Sequence, residues 1–261
     1  MNHKPKLWTK DFLIVSSANF FLFLTFYVLM VTLTIYTMDH FHASQAQAGL
    51  ASSIFVLGAV LVRPIAGKKI DKIGRRKMLL GSLVLFLIAS IGYFLVNSLS
   101  LLLIDRLIQG FAFGLATTAT GTIAADIIPN ERRGEGTGYF AMSTNLAMAF
   151  GPFIGLLITQ HFSYSIIFYA ASLFAAFSLV ASLFMNVPEG DKGGASPQKG
   201  FKISDYFEKR ALPIAIFIGF AGFTYSSILS YLTSFAKEMD LMGAASFFFV
   251  VFAVFLLASR P

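Results

Sequence analysis

The chain has 261 residues, of which 56% are hydrophobic and 13% are charged, and it contains no cysteine. Soluble domains are about 45 to 50% apolar and about 25% charged, so this composition excludes an ordinary water-soluble enzyme. The lack of cysteine also excludes a disulfide framework, a thiolate metal site and a cysteine nucleophile. A net charge of +7 would suit nucleic acid in a soluble protein, but in a membrane protein it reflects topology. We therefore predict no nucleic-acid partner.

Eight apolar runs are long enough to cross a bilayer, because a helical span needs about 20 largely apolar residues. The first run is too long for the apolar region of a cleavable signal peptide, so we expect it to be retained. The sequence thus predicts an all-α, multi-pass membrane protein. In chain order the predicted spans are 12–36, 46–66, 78–97, 100–125, 137–159, 164–187, 211–235 and 242–259.

Lysine and arginine are concentrated on alternate sides of these spans. Sixteen of them lie in the N-terminus and in the second, fourth and sixth loops, whereas the odd-numbered loops carry only Lys237. By the positive-inside rule, the N-terminus and the even-numbered loops are cytoplasmic. We expect a protein integral to the cell membrane in this orientation.

One polar segment divides the chain into two parts. Residues 188–210 are rich in Gly, Pro, Ser and charge, which predicts a flexible cytoplasmic linker. It separates an N-terminal six-helix domain, residues 1–187, from residues 211–261, which hold two helices. The pair Arg63–Pro64 recurs as Arg260–Pro261 at the end of the eighth span, which indicates an internal repeat. On this interpretation the second repeat is truncated after its first two helices.

The segment after the second span carries a distinctive pattern of glycines and charges. Gly67 would let two helix ends approach closely, and Gly74 permits a tight turn before Arg75 and Arg76. Asp71 lies among cations, and an acidic group beside a helix N-terminus is stabilised by the macrodipole. Asp71 is therefore a candidate to hold a neighbouring helix in one conformation. The alternative is an ordinary basic loop.

This segment resembles the G-x-x-x-D-R-x-G-R-[RK] signature of the major facilitator superfamily of secondary transporters, with Lys72 in place of the usual arginine. The resemblance covers the whole chain and implies the major facilitator fold, in which two six-helix bundles rock about a central site. The chain would contain the complete N-terminal bundle and the first two helices of the C-terminal bundle. The resemblance also implies that the signature segment latches one conformation, with Asp126 as a partner of its arginines. Such a protein is not an enzyme, and we expect the full-length carrier to be a monomer.

Ionisable residues occur inside the fourth span, in the sequence DRLIQG. An arginine in a span costs about 2.5 to 3.5 kcal/mol on insertion scales, so Arg106 should face a cavity or a partner. Arg106 and Gln109 share one helix face, and Asp105 points about 100° away. The pattern resembles the family's fourth-helix motif, whose arginine is tied to proton transfer. We expect Arg106 to face the transport cavity, with a structural interhelical hydrogen bond as the alternative, and Asp105 is the acidic candidate for proton coupling.

Small residues recur in the fifth span at Ala147, Gly151 and Gly155, with Pro152 beside them. This spacing permits close helix packing, and the proline removes a backbone hydrogen-bond donor. The pattern resembles the exporter signature G-x-x-x-G-P-x-x-G-G of the same family, although Ala147 and Leu156 replace two glycines. The resemblance favours export over uptake.

Polar residues of the first and seventh spans are candidates to contact the substrate, because these two spans would line the cavity: Asn19, Tyr27, Tyr36, Tyr225 and Tyr231. The alternative is that the local backbone or neighbouring helices satisfy them. We predict no metal site and no cofactor, since the histidines lack ligand spacing and the sequence has no phosphate-binding loop. The energy source would be the proton gradient.

The leading hypothesis is a secondary active transporter that exports a small organic compound or drug in exchange for protons. Its partners would be that compound, protons and the lipid bilayer. Two alternatives remain open, namely a sugar or metabolite symporter and a truncated remnant that does not transport.

Overall fold

The computed structural model describes residues 5–187 and 212–258, and eight α-helices with short connections account for nearly all of them. No strand occurs in these two ranges, which confirms the all-α prediction. The predicted linker at 188–210 and the Arg260–Pro261 pair lie outside the described residues. The helices are α1 Lys10–Phe41, α2 Gln45–Ile73, α3 Arg75–Gly92, α4 Leu99–Ile127, α5 Arg133–His161, α6 Tyr164–Leu183, α7 Leu212–Glu238 and α8 Met242–Ala258.

Side-chain caps determine where several helices begin. The Thr9 hydroxyl accepts a hydrogen bond of 3.2 Å from the Phe12 amide in the first turn of α1. Ser44 and Gln47 form a reciprocal capping box at the start of α2, and the Ser98 hydroxyl caps α4. Each cap satisfies an amide that the first helical turn would otherwise leave unpaired.

Helices α1 to α6 are long and apolar enough to cross a membrane, by length and composition. Helices α7 and α8 contain shorter apolar stretches, Leu212–Ile228 and Met242–Phe252. Large apolar side chains such as Leu61, Ile88 and Ile104 lie exposed on the outer faces of the bundle. Such surfaces suit contact with lipid, and the prediction of an integral membrane protein is confirmed.

Some predicted helix ends differ from those in the structure. Helix α2 continues to Ile73 instead of ending at 66, so most of the charged signature segment is helical and not a loop. Helix α1 continues to Phe41, and α6 ends earlier than predicted, at Leu183. The prediction ended each span where charge began, but backbone hydrogen bonds continue beyond the apolar region of a helix.

Helix α1 lies at the centre of the six-helix bundle and packs against α2, α4, α5 and α6. Residues 27–37 of α1 form an unbroken buried run, as expected for a helix surrounded by others. Helices α3 and α2 pack on α4, and α3 also contacts α6. Helices α7 and α8 pack against each other and against α1 and α5. The helix pair therefore docks on the side of the bundle formed by α1 and α5.

Glycines form the crossing of α2 and α4, a contact that the sequence analysis did not predict. A Cβ built on Gly58 would lie 2.7 Å from the carbonyl oxygen of Leu107, and one on Gly114 would lie 2.6 Å from a carbonyl oxygen of α2. Gly110 approaches the α2 backbone in the same way. The four-residue spacing of Gly110 and Gly114 is a sequence signal that could have predicted this contact.

Candidate functional site

The charged segment between α2 and α3 forms an ion-pair cluster. Arg75 makes a salt bridge of 3.5 Å with Asp71 and a closer one with Asp126, near the end of α4. Arg76 donates a hydrogen bond of 3.0 Å to the carbonyl oxygen of Leu183, the last residue of α6. The segment thus joins the ends of four helices, and Asp126 lies where the resemblance implied. A role as a latch remains a prediction.

The two glycines of this segment have different surroundings. Gly74 separates α2 from α3 with a φ of +93°, a backbone conformation that residues with a side chain rarely adopt. Gly67 lies inside α2, and no described atom is within 4 Å of a Cβ built on it. The close approach predicted at Gly67 is therefore absent from the described part of the chain.

Arg106 is fully buried among α2, α4 and the 3₁₀ turn that follows α3. Its Nε donates to the carbonyl oxygen of Ala51 at 3.1 Å, and its Nη1 donates to the Tyr93 hydroxyl at 3.2 Å and to Oε1 of Gln109 at 2.8 Å. The guanidinium carbon lies 4.3 Å from the centroid of the Phe55 ring, which places the cation over the aromatic face. The expectation that Arg106 faces the cavity disagrees with this packing, because Nε and Nη1 find acceptors inside the bundle, as the alternative of a structural interhelical hydrogen bond predicts.

Gln109 extends this cluster toward α3. Its Oε1 also accepts from the Tyr93 hydroxyl at 2.6 Å, and its Nε2 donates to the Ser90 hydroxyl at 3.1 Å. Tyr93 and Ser90 were not singled out from the sequence. Polar residues near the end of an apolar span are a weak signal, and only the fold shows that they face α4.

Two polar atoms of α4 remain without a hydrogen bond among the described residues, Nη2 of Arg106 and Oδ2 of Asp105. Asp105 packs against Gly92 at the end of α3 and lies one helical turn before Gln109 on the same side of α4. Its predicted offset of about 100° is from Arg106, the next residue in the chain. Buried ionisable groups with unused hydrogen-bonding capacity are costly, so this part of α4 is a candidate for chemistry and not only for packing.

Asn19 joins α1 to both α4 and α5. Its amide nitrogen donates to the hydroxyls of Ser143 at 2.8 Å and Thr144 at 3.0 Å, and its carbonyl oxygen accepts from Thr120 at 3.1 Å. Asn19 is 2% exposed, and lipid offers no hydrogen-bond partners. These three bonds therefore satisfy an amide that would otherwise be buried without partners.

A cavity of about 340 Å³ opens beside Asn19, between α1, α2, α4 and α5. This volume lies in the range of about 300 to 1,000 Å³ that is typical of small-molecule sites. Asn19 is the predicted substrate-contacting residue that lines it. The walls combine aromatic rings, hydroxyls, one amide and one guanidinium, from Asn19, Phe23, Arg63, Thr117, Thr118, Phe140 and Thr144.

Tyr36 lies away from this cavity, in an aromatic cluster at the far end of α1. Its ring centroid is 5.1 Å from that of Phe168 and 5.4 Å from that of Tyr164. Tyr36 is 6% exposed, because these rings of α6 cover it. The prediction that Tyr36 contacts substrate disagrees with this packing.

The other three predicted tyrosines lie where α7 meets the bundle. Tyr27 and Tyr225 belong to one apolar cluster between α1, α5 and the helix pair, and the Tyr225 ring stacks on Phe252 at 5.4 Å. The Tyr231 hydroxyl lies 2.8 Å from a Cβ built on Gly49, at the start of α2. These tyrosines line the junction of the two parts of the chain, outside the cavity beside Asn19.

Gly151 and Gly155 form a close crossing of α5 with α1. A Cβ built on Gly155 would lie 2.9 Å from Cγ2 of Thr32, and one on Gly151 would collide with Tyr27. Pro152 lies within α5 and is buried beside them. The structure thus has the tight packing that the small residues predict, while their connection with export remains a prediction.

A second ion-pair cluster joins α7 to the six-helix bundle. Nζ of Lys237 lies 2.9 and 3.0 Å from the two carboxylate oxygens of Asp39, and the Tyr164 hydroxyl donates to the same carboxylate at 2.7 Å. The cluster therefore holds the last turns of α1 and α7 and the first turn of α6 together. The sequence analysis missed it because Asp39 and Lys237 are 198 residues apart.

The opposite end of α7 is open. Phe217 and Phe220 are 76% and 71% exposed, although they lie in an apolar helix. Near the Lys237 end, in contrast, the Gln160 side chain donates a hydrogen bond of 3.0 Å to the carbonyl oxygen of Met242 in α8. The described helix pair is thus held to the bundle at one end and separated from it at the other.

The sequence profile of the Major Facilitator Superfamily matches residues 15–261. The chain belongs to this superfamily. The recognised family, which is a family of membrane transporters and not of enzymes, and its fold are therefore confirmed.

Two curated members of the superfamily are similar to the chain over part of its length. Multidrug resistance protein 3 of Bacillus subtilis (strain 168) is 33% identical over 125 residues, which are 48% of this chain and 24% of that protein. Quinolone resistance protein NorA of Staphylococcus aureus (strain Mu50 / ATCC 700699) is 24% identical over 166 residues, 64% of this chain and 42% of NorA. The chain spans less than half the length of the curated relatives that it matches.

A solved structure of the superfamily matches almost the whole chain. It is a bacterial homologue of the human lysosomal transporter Spinster, in an inward-facing and unoccupied conformation, with a TM-score of 0.72 and 15% identity. The match covers 96% of this chain and 60% of that chain. The likeness shows the fold.

Proposed function

We propose that this major facilitator chain takes part in the proton-coupled export of a small organic compound across the cell membrane. The observation that carries the proposal is the presence of two adjacent ionisable residues in the apolar helix α4, the fully buried Arg106 and the half-buried Asp105. Each has a polar atom without a partner among the described residues. Ionisable residues inside a membrane span are costly to insert and commonly mark proton or ion pathways.

Asp105 is the group that would carry the proton. Because its Oδ2 is buried and makes no hydrogen bond in the described part of the chain, a proton can bind there without displacing another group. Protonation removes a negative charge beside Arg106, which is hydrogen-bonded to α2 and to the turn after α3. The protonation state therefore acts on a point where three helices meet, which is how coupling to helix packing would arise.

The conformation supports a carrier that alternates access. In the orientation predicted from the basic loops, the Asp39–Lys237 end faces outward and the open end of α7 faces the cytoplasm. The cavity beside Asn19 lies in the cytoplasmic half of the helices that line it. This arrangement corresponds to an inward-facing state, one of the two that rocking of the halves produces.

Two observations favour export over uptake. The crossing at Gly151 and Gly155, with Pro152 between them, resembles the exporter signature of the fifth helix. Two relatives are named for multidrug and quinolone resistance. The alternative is a sugar or metabolite symporter, and the experiment must distinguish such uptake from export.

Inside-out membrane vesicles from cells that express the 261-residue chain test this proposal. Respiration acidifies the vesicle lumen, and a panel of a quinolone, a lipophilic cation and an aromatic carboxylate serves as the set of probes. Export in exchange for protons predicts that a probe accumulates in the lumen while the pH gradient decreases. Equal accumulation with and without the gradient would exclude proton coupling. Accumulation only in right-side-out vesicles would support symport, and none in either orientation would support a remnant that does not transport.

Asp105→Asn should abolish proton-driven accumulation, because the amide keeps the shape of the side chain but cannot exchange a proton. Asp240→Asn is the matched control, since Asp240 is exposed in the turn between α7 and α8. The measurement is the gradient-dependent part of probe accumulation in the vesicles. Coupling as strong as that of the unchanged chain in Asp105→Asn would contradict a role for Asp105.

A further inference from the structure

We infer that the cavity beside Asn19 recognises an organic anion, specifically an aromatic carboxylate, with Arg63 as the residue that selects its charge. The inference rests on the proposed function in one respect, that this cavity belongs to the transport pathway.

Arg63 lies where its charge can meet a ligand. It is near the cytoplasmic end of the apolar span predicted at 46–66, its side chain is exposed, and it lines the cavity. Among the described residues no carboxylate forms a salt bridge with it. The N–H donors of its planar guanidinium are therefore available to a ligand.

The rest of the polar wall adds a donor and no negative charge. The Thr144 hydroxyl accepts a hydrogen bond from Asn19, which leaves its own proton for a ligand. The Thr117 and Thr118 hydroxyls instead donate to carbonyl oxygens of α4, at 2.8 and 2.7 Å. The described lining contains no Asp or Glu. A guanidinium and a hydroxyl donor without an opposing carboxylate match a ligand group that only accepts hydrogen bonds and is negatively charged.

Two rings complete the walls of the cavity. Phe23 and Phe140 line it, and Phe23 is held edge-on against Phe113 with a centroid distance of 5.0 Å. Aromatic side chains provide a flat apolar surface on which a ligand ring can pack. A cationic ligand would instead meet the charge of Arg63 with no described carboxylate in the lining to offset the repulsion. The cavity thus favours aromatic anions over aromatic cations.

Three probes of similar shape and different charge test the inference: benzoate, benzamide and benzylamine at neutral pH. Their dissociation constants are measured by saturation-transfer NMR on the purified 261-residue chain in detergent micelles. We expect benzoate to bind about tenfold more tightly than benzamide, since one charge-assisted contact is worth about this factor, and benzylamine to bind most weakly.

Variants of the cavity separate charge from shape. Arg63→Gln should remove the advantage of benzoate over benzamide, and Arg63→Lys should keep part of it, because the charge remains while the planar fork is lost. Thr144→Val should weaken benzoate binding several-fold without reversing the order of the probes. Arg133→Gln is the matched control, because Arg133 is exposed at the start of α5 and outside the cavity lining. Thermal unfolding of each variant verifies that it is folded.

Three results would overturn the inference. They are equal binding of benzamide and benzoate, an unchanged preference in Arg63→Gln, and no benzoate binding by the folded chain. The binding assay uses no proton gradient, so any of these results leaves proton-coupled export standing. Vesicle transport that does not depend on the gradient, combined with a retained preference for benzoate, would overturn the export proposal alone.

Discussion

Gly74 supplies the backbone conformation that separates α2 from α3. Its φ of +93° lies in the region where a Cβ clashes with the neighbouring backbone. Gly67, seven residues earlier, is an ordinary helical residue with open space around the position of a Cβ. The two glycines of one signature segment therefore have different physical roles in the described structure.

Gly74→Ala is expected to lower the free energy of unfolding by about 1 to 2 kcal/mol, the cost of a side chain in a left-handed conformation. Gly67→Ala should raise it by about 0.5 to 1 kcal/mol, because alanine favours a helix interior. Titration with SDS in mixed micelles measures both. Equal effects of the two substitutions would contradict the assignment of backbone strain to position 74.

Arg106 shows what a sequence can and cannot predict about a single residue. The cost of burying its charge predicts that Arg106 faces either a water-filled cavity or hydrogen-bond acceptors on other helices, but this cost does not distinguish the two. Which of them occurs depends on Tyr93 and on the Ala51 carbonyl oxygen, which lie outside α4. Gln109 was predictable as a neighbour because it lies on the same helical face.

The crossing of α1 and α5 is a close helix contact at a predicted motif. Adding a methyl group at Gly151 forces it against Tyr27, in the buried part of α1. Gly138 lies in the same helix, and nothing is within 4 Å of a Cβ built on it. A glycine-to-alanine substitution can therefore be compared at a tightly packed position, Gly151, and at an open position of the same helix, Gly138.

Gly151→Ala should lower the free energy of unfolding by about 1 to 3 kcal/mol, because overpacking moves the two helices apart. Gly138→Ala should leave it unchanged or raise it by up to about 1 kcal/mol. The same SDS titration provides the values. If Gly151→Ala proves as stable as Gly138→Ala, the crossing does not depend on the missing side chain.

At the level of elements, the apolar runs predicted the helices of the bundle but not all of their ends. The continuation of α2 to Ile73 was missed because hydropathy identifies the part of a helix in lipid, not the part that projects into water. The packing of α2 on α4 was also missed, although Gly110 and Gly114 have a spacing that indicates it.

At the scale of the whole molecule, Asp39, Lys237 and Tyr164 hold one end of α7 against the bundle. Exposed ion pairs of this kind stabilise a contact by about 0.2 to 1 kcal/mol. Asp39 and Lys237 are 41% and 53% exposed at their side chains, so in the proposed alternation of conformations the cluster would favour one state without locking it. No short-range sequence pattern could have predicted a contact between Asp39 and Lys237, because they lie on opposite sides of the linker.

Asp39→Asn should increase the population in which this end is open by up to about fivefold, the factor that about 1 kcal/mol produces. Spin labels at Gln45→Cys and Met239→Cys would report the separation by pulsed EPR, and the chain has no cysteine of its own to interfere. Glu238→Gln is the control, as a neighbouring exposed charge. An unchanged distance distribution in Asp39→Asn would show that the cluster does not govern closure.

The hydrogen bonds of Asn19 also constrain how the protein is made. Its partners Thr120 and Ser143 follow it by 101 and 124 residues. A ribosome adding about 5 to 20 residues per second needs about 5 to 25 s to reach them. An unpaired amide in hydrocarbon costs several kcal/mol, so during that interval the first helix needs water or the insertion machinery around Asn19. Release of α1 into lipid is therefore expected to wait for the arrival of α4 and α5.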